Sequence, residues 1–105
     1  MGSNCLGSMS YAVPGALAAK MAHPHCPCVA FVGDGGFMMS VAELQTSVAE
    51  NLPIICVGFD DEEIGLIRVK QQLKQIPQYG VRIDGMHWDK LAQGFGADGV
   101  VVDNE

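Results

Sequence analysis

Asp34 stands among three glycines, Gly33, Gly35 and Gly36, directly after the apolar residues Phe31 and Val32. Glycines let backbone N–H groups come close to a ligand. Turn amides and helix starts favour anions such as phosphate. A carboxylate inside a phosphate cradle repels the phosphate unless a cation lies between them. The simplest arrangement that reconciles the two is a divalent ion bridging Asp34 and a phosphate. Magnesium suits that place, because it takes a few carboxylate or carbonyl oxygens together with phosphate oxygens. A second ligand is then expected at the end of a neighbouring strand. The acidic run Asp60-Asp61-Glu62-Glu63 follows the apolar run 53–59, and Ile64-Gly65 opens another helix behind it. Taken singly, Gly-Asp-Gly-Gly is a common turn and the acidic run a common solvated loop. At two adjacent strand ends, each opening a helix, they make a candidate magnesium–diphosphate site.

The elements that must position these residues follow from the pattern. Residues 12–24 read as a helix, with Pro14 suited to the first turn and Pro24 ending it. Residues 28–32 form an apolar run of strand length, as expected of a parallel sheet covered on both faces. A helix is expected over 41–50, with Ser40 and Glu43 as a capping box, Val41, Leu44 and Val48 on one face, and Asn51 as its stop. A second buried strand is expected over 54–59. A helix then runs from Ile64 to about Gln75, ahead of Pro77. Residues 88–96 read as a short helix and 99–102 as a third strand. Strands alternating with helices give parallel pairing through crossovers. The expected architecture is a three-layer α/β/α domain around a parallel sheet, with ligands beyond the carboxyl ends of the strands.

The chain has 105 residues, enough for one small domain, and 49% of them are hydrophobic. Its formal net charge of −6 at pH 7 leaves no basic stripe for nucleic acid and no attraction to an anionic membrane. No apolar run is long enough to span a bilayer. Of the four cysteines, Cys56 lies in an apolar run where a free buried thiol is ordinary, so a reducing, cytoplasmic setting is expected. His23, His25, Cys26 and Cys28 are all possible zinc ligands. Their spacing is tighter than the usual zinc patterns, and a surface turn is the simpler account. Met38 and Met39 read as core or near-site packing, and His87 and Trp88 as a cap or packing pair ahead of the last helix.

Several segments, taken in order, resemble the thiamin diphosphate (ThDP) enzymes. That family carries Gly-Asp-Gly, then roughly two dozen residues, then a pair that is usually Asn-Asn or Asn-Asp. Here Gly33-Asp34-Gly35 is followed at that spacing by Asp60-Asp61. The segments 6–24, 36–54, 65–71 and 91–102 are also similar to the family's pattern. The resemblance covers nearly the whole chain and points to the diphosphate-binding domain of the acetolactate synthase and 2-oxo acid decarboxylase branch. It implies magnesium ligation by Asp34, by Asp61 and by the backbone carbonyl of Glu63. It implies diphosphate contacts from Gly33, Gly35, Gly36, Phe37, Ile64 and Gly65. Met9 matches the apolar residue that holds the cofactor's two rings bent together.

The chain also departs from the family pattern. Asp60 and Glu62 stand where the family usually has Asn, and extra negative charge beside a diphosphate opposes binding. Ile64 stands where Tyr is frequent, and Ser10 where Gly is usual. No segment resembles the domain that supplies the family's pyrimidine-binding glutamate. The resemblance therefore implies a single, truncated domain of a lyase or carboligase acting on 2-oxo acids. Such a domain is inactive without a pyrimidine-binding partner domain or subunit, and its exposed apolar surface would favour self-association into a homo-oligomer. The competing reading is a non-catalytic interaction or structural module that kept the fold and lost the cofactor.

Overall fold

The computed structural model describes residues 7–103. The elements in chain order are α1 (Ala12–Ala22), β1 (Val29–Gly33), α2 (Asp34–Ser40), α3 (Glu43–Ala49), β2 (Ile55–Phe59), α4 (Gly65–Leu73) and α5 (Trp88–Gly94). Cys5 and Leu6, the latter opening one of the segments quoted above, lie outside the described residues.

β1 and β2 pair in parallel, in register from Val29 opposite Ile55 to Gly33 opposite Phe59. Parallel neighbours need a crossover, which α2 and α3 provide. The α/β class and the parallel pairing are as the sequence indicates. Both strand ends, Gly33 and Phe59, therefore lie side by side, and the acidic residues of both motifs follow them.

The buried face of β1 carries Ala30 and Val32. Val32 packs in one cluster with Val13 of α1, Phe37 of α2, Leu44 of α3 and Ala92 of α5. Val13, Ala16 and Leu17 are the buried residues of α1, at the i, i+3, i+4 spacing of one helix face. The opposite sheet face is open. Val29, Phe31, Ile55 and Phe59 are exposed there, and the rings of Phe31 and Phe59 stack with centroids 6.3 Å apart. The apolar composition of 28–32 suggested cover on both faces, and in this chain the cover is one-sided.

Three helix ends close with the same device. Asn51, Gln75 and Gly96 take positive φ just beyond α3, α4 and α5. In each case the following amide reaches back five residues, as Leu52 N–H does to Ser47 O at 2.9 Å. Asn51 thus ends its helix as its type suggests.

Three local expectations fail. The glycine run is helical from Asp34 onward, with Gly33 in extended conformation as the residue before the helix. Glycine is a poor helix former, but here its lack of a side chain lets α2 come against the backbone of Met9. The capping box does not form. Val41 and Ala42 already have helical dihedrals, so the chain reaches Glu43 without a free helix end to cap. The Ser40 hydroxyl instead donates to Gly36 O at 3.3 Å. Finally, residues 99–102 form no strand. Gly99 is pressed against the Asp89 backbone, and Val100, Val101 and Val102 are exposed, with no ladder beside them.

Candidate functional site

Asp34 opens α2 at the end of β1 and is 5% exposed. Its Oδ1 accepts the Gly35 N–H at 2.7 Å, and its Oδ2 accepts the Glu63 N–H at 3.1 Å. One carboxylate therefore joins the two strand-end loops. Burying a carboxylate is costly unless it is paired, and none of the ion pairs among the described residues reaches Asp34. Two backbone amides meet part of that cost. A cation beside Asp34 would meet the rest, so the residue fits a metal-ligand role.

The second loop is held in place from behind. Glu63 bridges to Arg82 in antiparallel fashion, Ile64 N–H donates to Val81 O at 2.7 Å, and Ile83 N–H donates to Glu62 O at 2.9 Å. Glu62 takes φ +57, a left-handed conformation unusual for a side chain of its kind. That turn sets the direction in which the loop enters α4. The carboxylates of Asp61 and Glu63 both border Gly65, where an added Cβ would meet Asp61 Oδ2 at 3.5 Å and Glu63 Oε1 at 3.6 Å. The Glu63 carboxylate is already taken by Arg68, whose Nε lies 2.7 Å away. What Glu63 has left for a metal is its backbone carbonyl. Among the described residues no three His, Cys, Asp or Glu side chains converge as a metal-binding group.

The glycines make room. Above Gly35 stand Met9, Ile83 and Ile64, with Met9 Cε 3.2 Å from the position a Cβ would take. At Gly36 a Cβ would lie 2.5 Å from Met9 O, so only glycine fits. Met9, Gly35, Gly36 and Ile64 are thus brought together. Gly33 is roomier, since a Cβ there would meet only Phe59 O at 4.0 Å. Phe37 points away from this group. It is buried and meets Trp88 edge-on at 5.6 Å, so its side chain belongs to the core and only its backbone could face a ligand.

Beside the glycines lies an open depression of about 390 Å³, lined by Gly35, Met38, Met39, Ile64, Ile83 and Arg82 among others. Met38 and Met39 are exposed on its wall rather than packed in the core. Arg82 and Ile83 were not legible as site residues, because their link to the acidic loop is a backbone bridge that no side-chain pattern announces. The Trp88 indole N–H donates to Asp60 Oδ2 at 2.9 Å, a contact across 28 residues that was equally invisible. At the other end of β1, the zinc candidates occupy a turn. Cys26 O accepts from the Lys20 ammonium at 3.0 Å, and the Cys28 thiol lies 3.8 Å from the same carbonyl. Cys56 is half-buried, and burial pushes its thiol pKa up.

A family model described as "Thiamine pyrophosphate enzyme, C-terminal TPP binding domain" matches residues 1–105. Among similar proteins is the putative thiamine pyrophosphate-containing protein YdaP of Bacillus subtilis (strain 168), 35% identical over 100 residues, which are 95% of this chain and 17% of that protein. The acetolactate synthase isozyme 2 large subunit of Escherichia coli (strain K12) is 36% identical over 99 residues, 92% of this chain and 18% of that subunit. Sulfoacetaldehyde acetyltransferase of Castellaniella defragrans is 33% identical over 102 residues, 92% of this chain and 16% of that enzyme. The chain thus spans less than a fifth of the length of each of these relatives.

Proposed function

This chain belongs to the family of C-terminal TPP-binding domains of thiamine pyrophosphate enzymes, and from that premise we propose that it holds magnesium and the ThDP diphosphate at its two strand ends. Asp34, Asp61 and the Glu63 carbonyl would hold the metal. The backbone of Gly33, Gly35, Gly36 and Phe37 and the start of α4 at Ile64 and Gly65 would meet the diphosphate. Met9 and Ile64, which already enclose Gly35, would pack against the cofactor's rings. Bound ThDP supplies an electron sink for making or breaking a bond beside a carbonyl. The chain's own residues bind and orient it and shield one side of it from water.

The observation that carries this reading is the single buried carboxylate of Asp34, shared by both strand-end loops and lacking an ionic partner among the described residues. The names of the relatives support an acetolactate synthase-like lyase or carboligase on 2-oxo acids as the activity of a complete assembly. In that assembly a pyrimidine-binding domain or subunit would complete the site, and this chain alone would be inactive. No helix among the described residues is long and apolar enough to cross a membrane.

One observation favours the second reading, an interaction module without cofactor. Among the described residues, no three acidic or other ligating side chains converge. Calorimetric titration of ThDP with magnesium into the chain decides between the two. Magnesium-dependent heat that is lost in Asp34→Asn establishes the site. No heat at millimolar cofactor leaves the interaction module.

A further inference from the structure

Asp60 is one of the two acidic residues whose charge opposes a diphosphate, yet both of its oxygens are occupied elsewhere. Oδ2 accepts the Trp88 indole N–H at 2.9 Å, and Oδ1 accepts the Glu62 N–H at 3.3 Å. Trp88 opens α5 and also meets Phe37 edge-on, with ring centroids 5.6 Å apart. Phe37 lies on α2, three residues beyond Asp34. The indole thus touches both halves of the candidate site, the Asp60–Glu63 loop by hydrogen bond and α2 by ring packing.

We propose that Asp60 is a positioning residue and not a metal ligand. Its carboxylate latches the loop to Trp88, which fixes the loop against α2 so that the Glu63 amide reaches Asp34 and Asp61 lies at the site. The chemistry explains why a carboxylate serves here. Two N–H donors converge on Asp60, and a carboxylate offers two acceptor oxygens. An amide offers one oxygen and would turn its NH2 group toward the other donor. The shorter bond, to Trp88, is the one an amide would keep. The existence of the latch is independent of the cofactor reading, and its effect on affinity rests on that reading.

Trp88 is the only tryptophan in the chain, so its fluorescence emission and its single indole N–H proton resonance report on the latch directly. The test compares the parent chain with D60N, D60A, W88F and the D60A/W88F double variant, each checked for folding by circular dichroism. Without cofactor, D60A should shift the emission and speed exchange of the indole proton, while D60N stays near the parent. In titrations of ThDP with magnesium, D60A and W88F should each weaken binding by about fivefold. The double variant should fall no further than the weaker single one, as coupled residues do. D60N should stay within about twofold of the parent, because the indole bond survives. An indole signal unchanged in D60A overturns the latch. Additive losses, or tighter binding in both D60N and D60A, also overturn it, the last by showing that Asp60 acts through its charge. A parent chain that takes up no ThDP sinks the cofactor reading, and the indole signals still decide on the latch.

Discussion

The carboxylate of Asp34 accepts the backbone N–H of Glu63 at 3.1 Å, across 29 residues of sequence. That bond is the shortest statement of how the fold makes a site. β1 and β2 pair in register, so their ends coincide, and each end is followed by an acidic residue in a chain segment about to become helical. A side chain at one end then reads the backbone of the other.

Removing that acceptor should be felt in stability as well as in binding. Asp34→Ala leaves the amides of Gly35 and Glu63 without their partner in a buried place, which costs about 1–3 kcal/mol. Asp34→Asn keeps one acceptor oxygen and should lose less. Urea unfolding of the two variants beside the parent measures the difference. Equal stability in all three would show that the bond between the loops contributes nothing to the fold.

Gly36 and Gly58 make an internal comparison. A Cβ at Gly36 would lie 2.5 Å from Met9 O and 3.0 Å from Val32 Cγ2, whereas one at Gly58 would meet nothing within 4 Å. Gly36→Ala should therefore destabilise by about 1–3 kcal/mol, the usual cost of overpacking. Gly58→Ala should stay within about 0.5 kcal/mol of the parent, as unobtrusive surface changes do. Thermal unfolding of both variants checks the contrast. The same change at Gly36 should also push Met9 away from Gly35 and weaken any ligand held between them.

How much of this was legible in the sequence follows from the kind of interaction involved. The order of α1, β1, α3, β2, α4 and α5, the Asn51 stop and the placing of Asp34 beside the acidic loop rest on apolar pattern and spacing, which sequence displays. The helix at Asp34–Ser40 was not legible, because glycine propensity argues against it and the deciding contact, with the Met9 backbone, is tertiary. The latch from Asp60 to Trp88 and the bridge from Glu63 to Arg82 escaped for the same reason. Each joins residues that no local pattern pairs. The strand expected over 99–102 failed because an apolar run specifies a strand only where a ladder is available beside it.

Arg82 and Asp84 make a pH-dependent pair on the segment that backs the acidic loop. Arg82 Nε lies 2.8 and 3.0 Å from the two oxygens of Asp84. The hydrogen bond from Arg82 lowers the Asp84 pKa, and the same bond raises that of Arg82. A carboxyl whose folded pKa is depressed favours the fold above its unfolded pKa, and loses that contribution as pH falls through the folded value. Both side chains are more than half exposed, so the effect belongs in a titration curve more than in a melting temperature. Carbon-13 detection of the Asp84 carboxyl should show a midpoint below the usual aspartate range, returning upward in Arg82→Ala. An unchanged midpoint in that variant would mean that the pair does not persist in solution.

The open face of the sheet supplies the last prediction. Val29, Phe31, Ile55 and Phe59 are 45%, 64%, 56% and 62% exposed, and they form one contiguous apolar strip across both strands. Among the described residues both strands are also edges, with unpaired backbone groups on their outer sides. Apolar area of that kind, left in water, favours association. The chain should therefore sediment as a concentration-dependent oligomer, and Phe31→Lys with Phe59→Lys should move it toward monomer. These side chains face away from the cluster of Val13, Val32, Phe37 and Leu44, so the double variant should keep its helical signal. A parent chain that sediments as a monomer at every concentration would show that the stacked rings of Phe31 and Phe59 cover enough of the strip to suppress association.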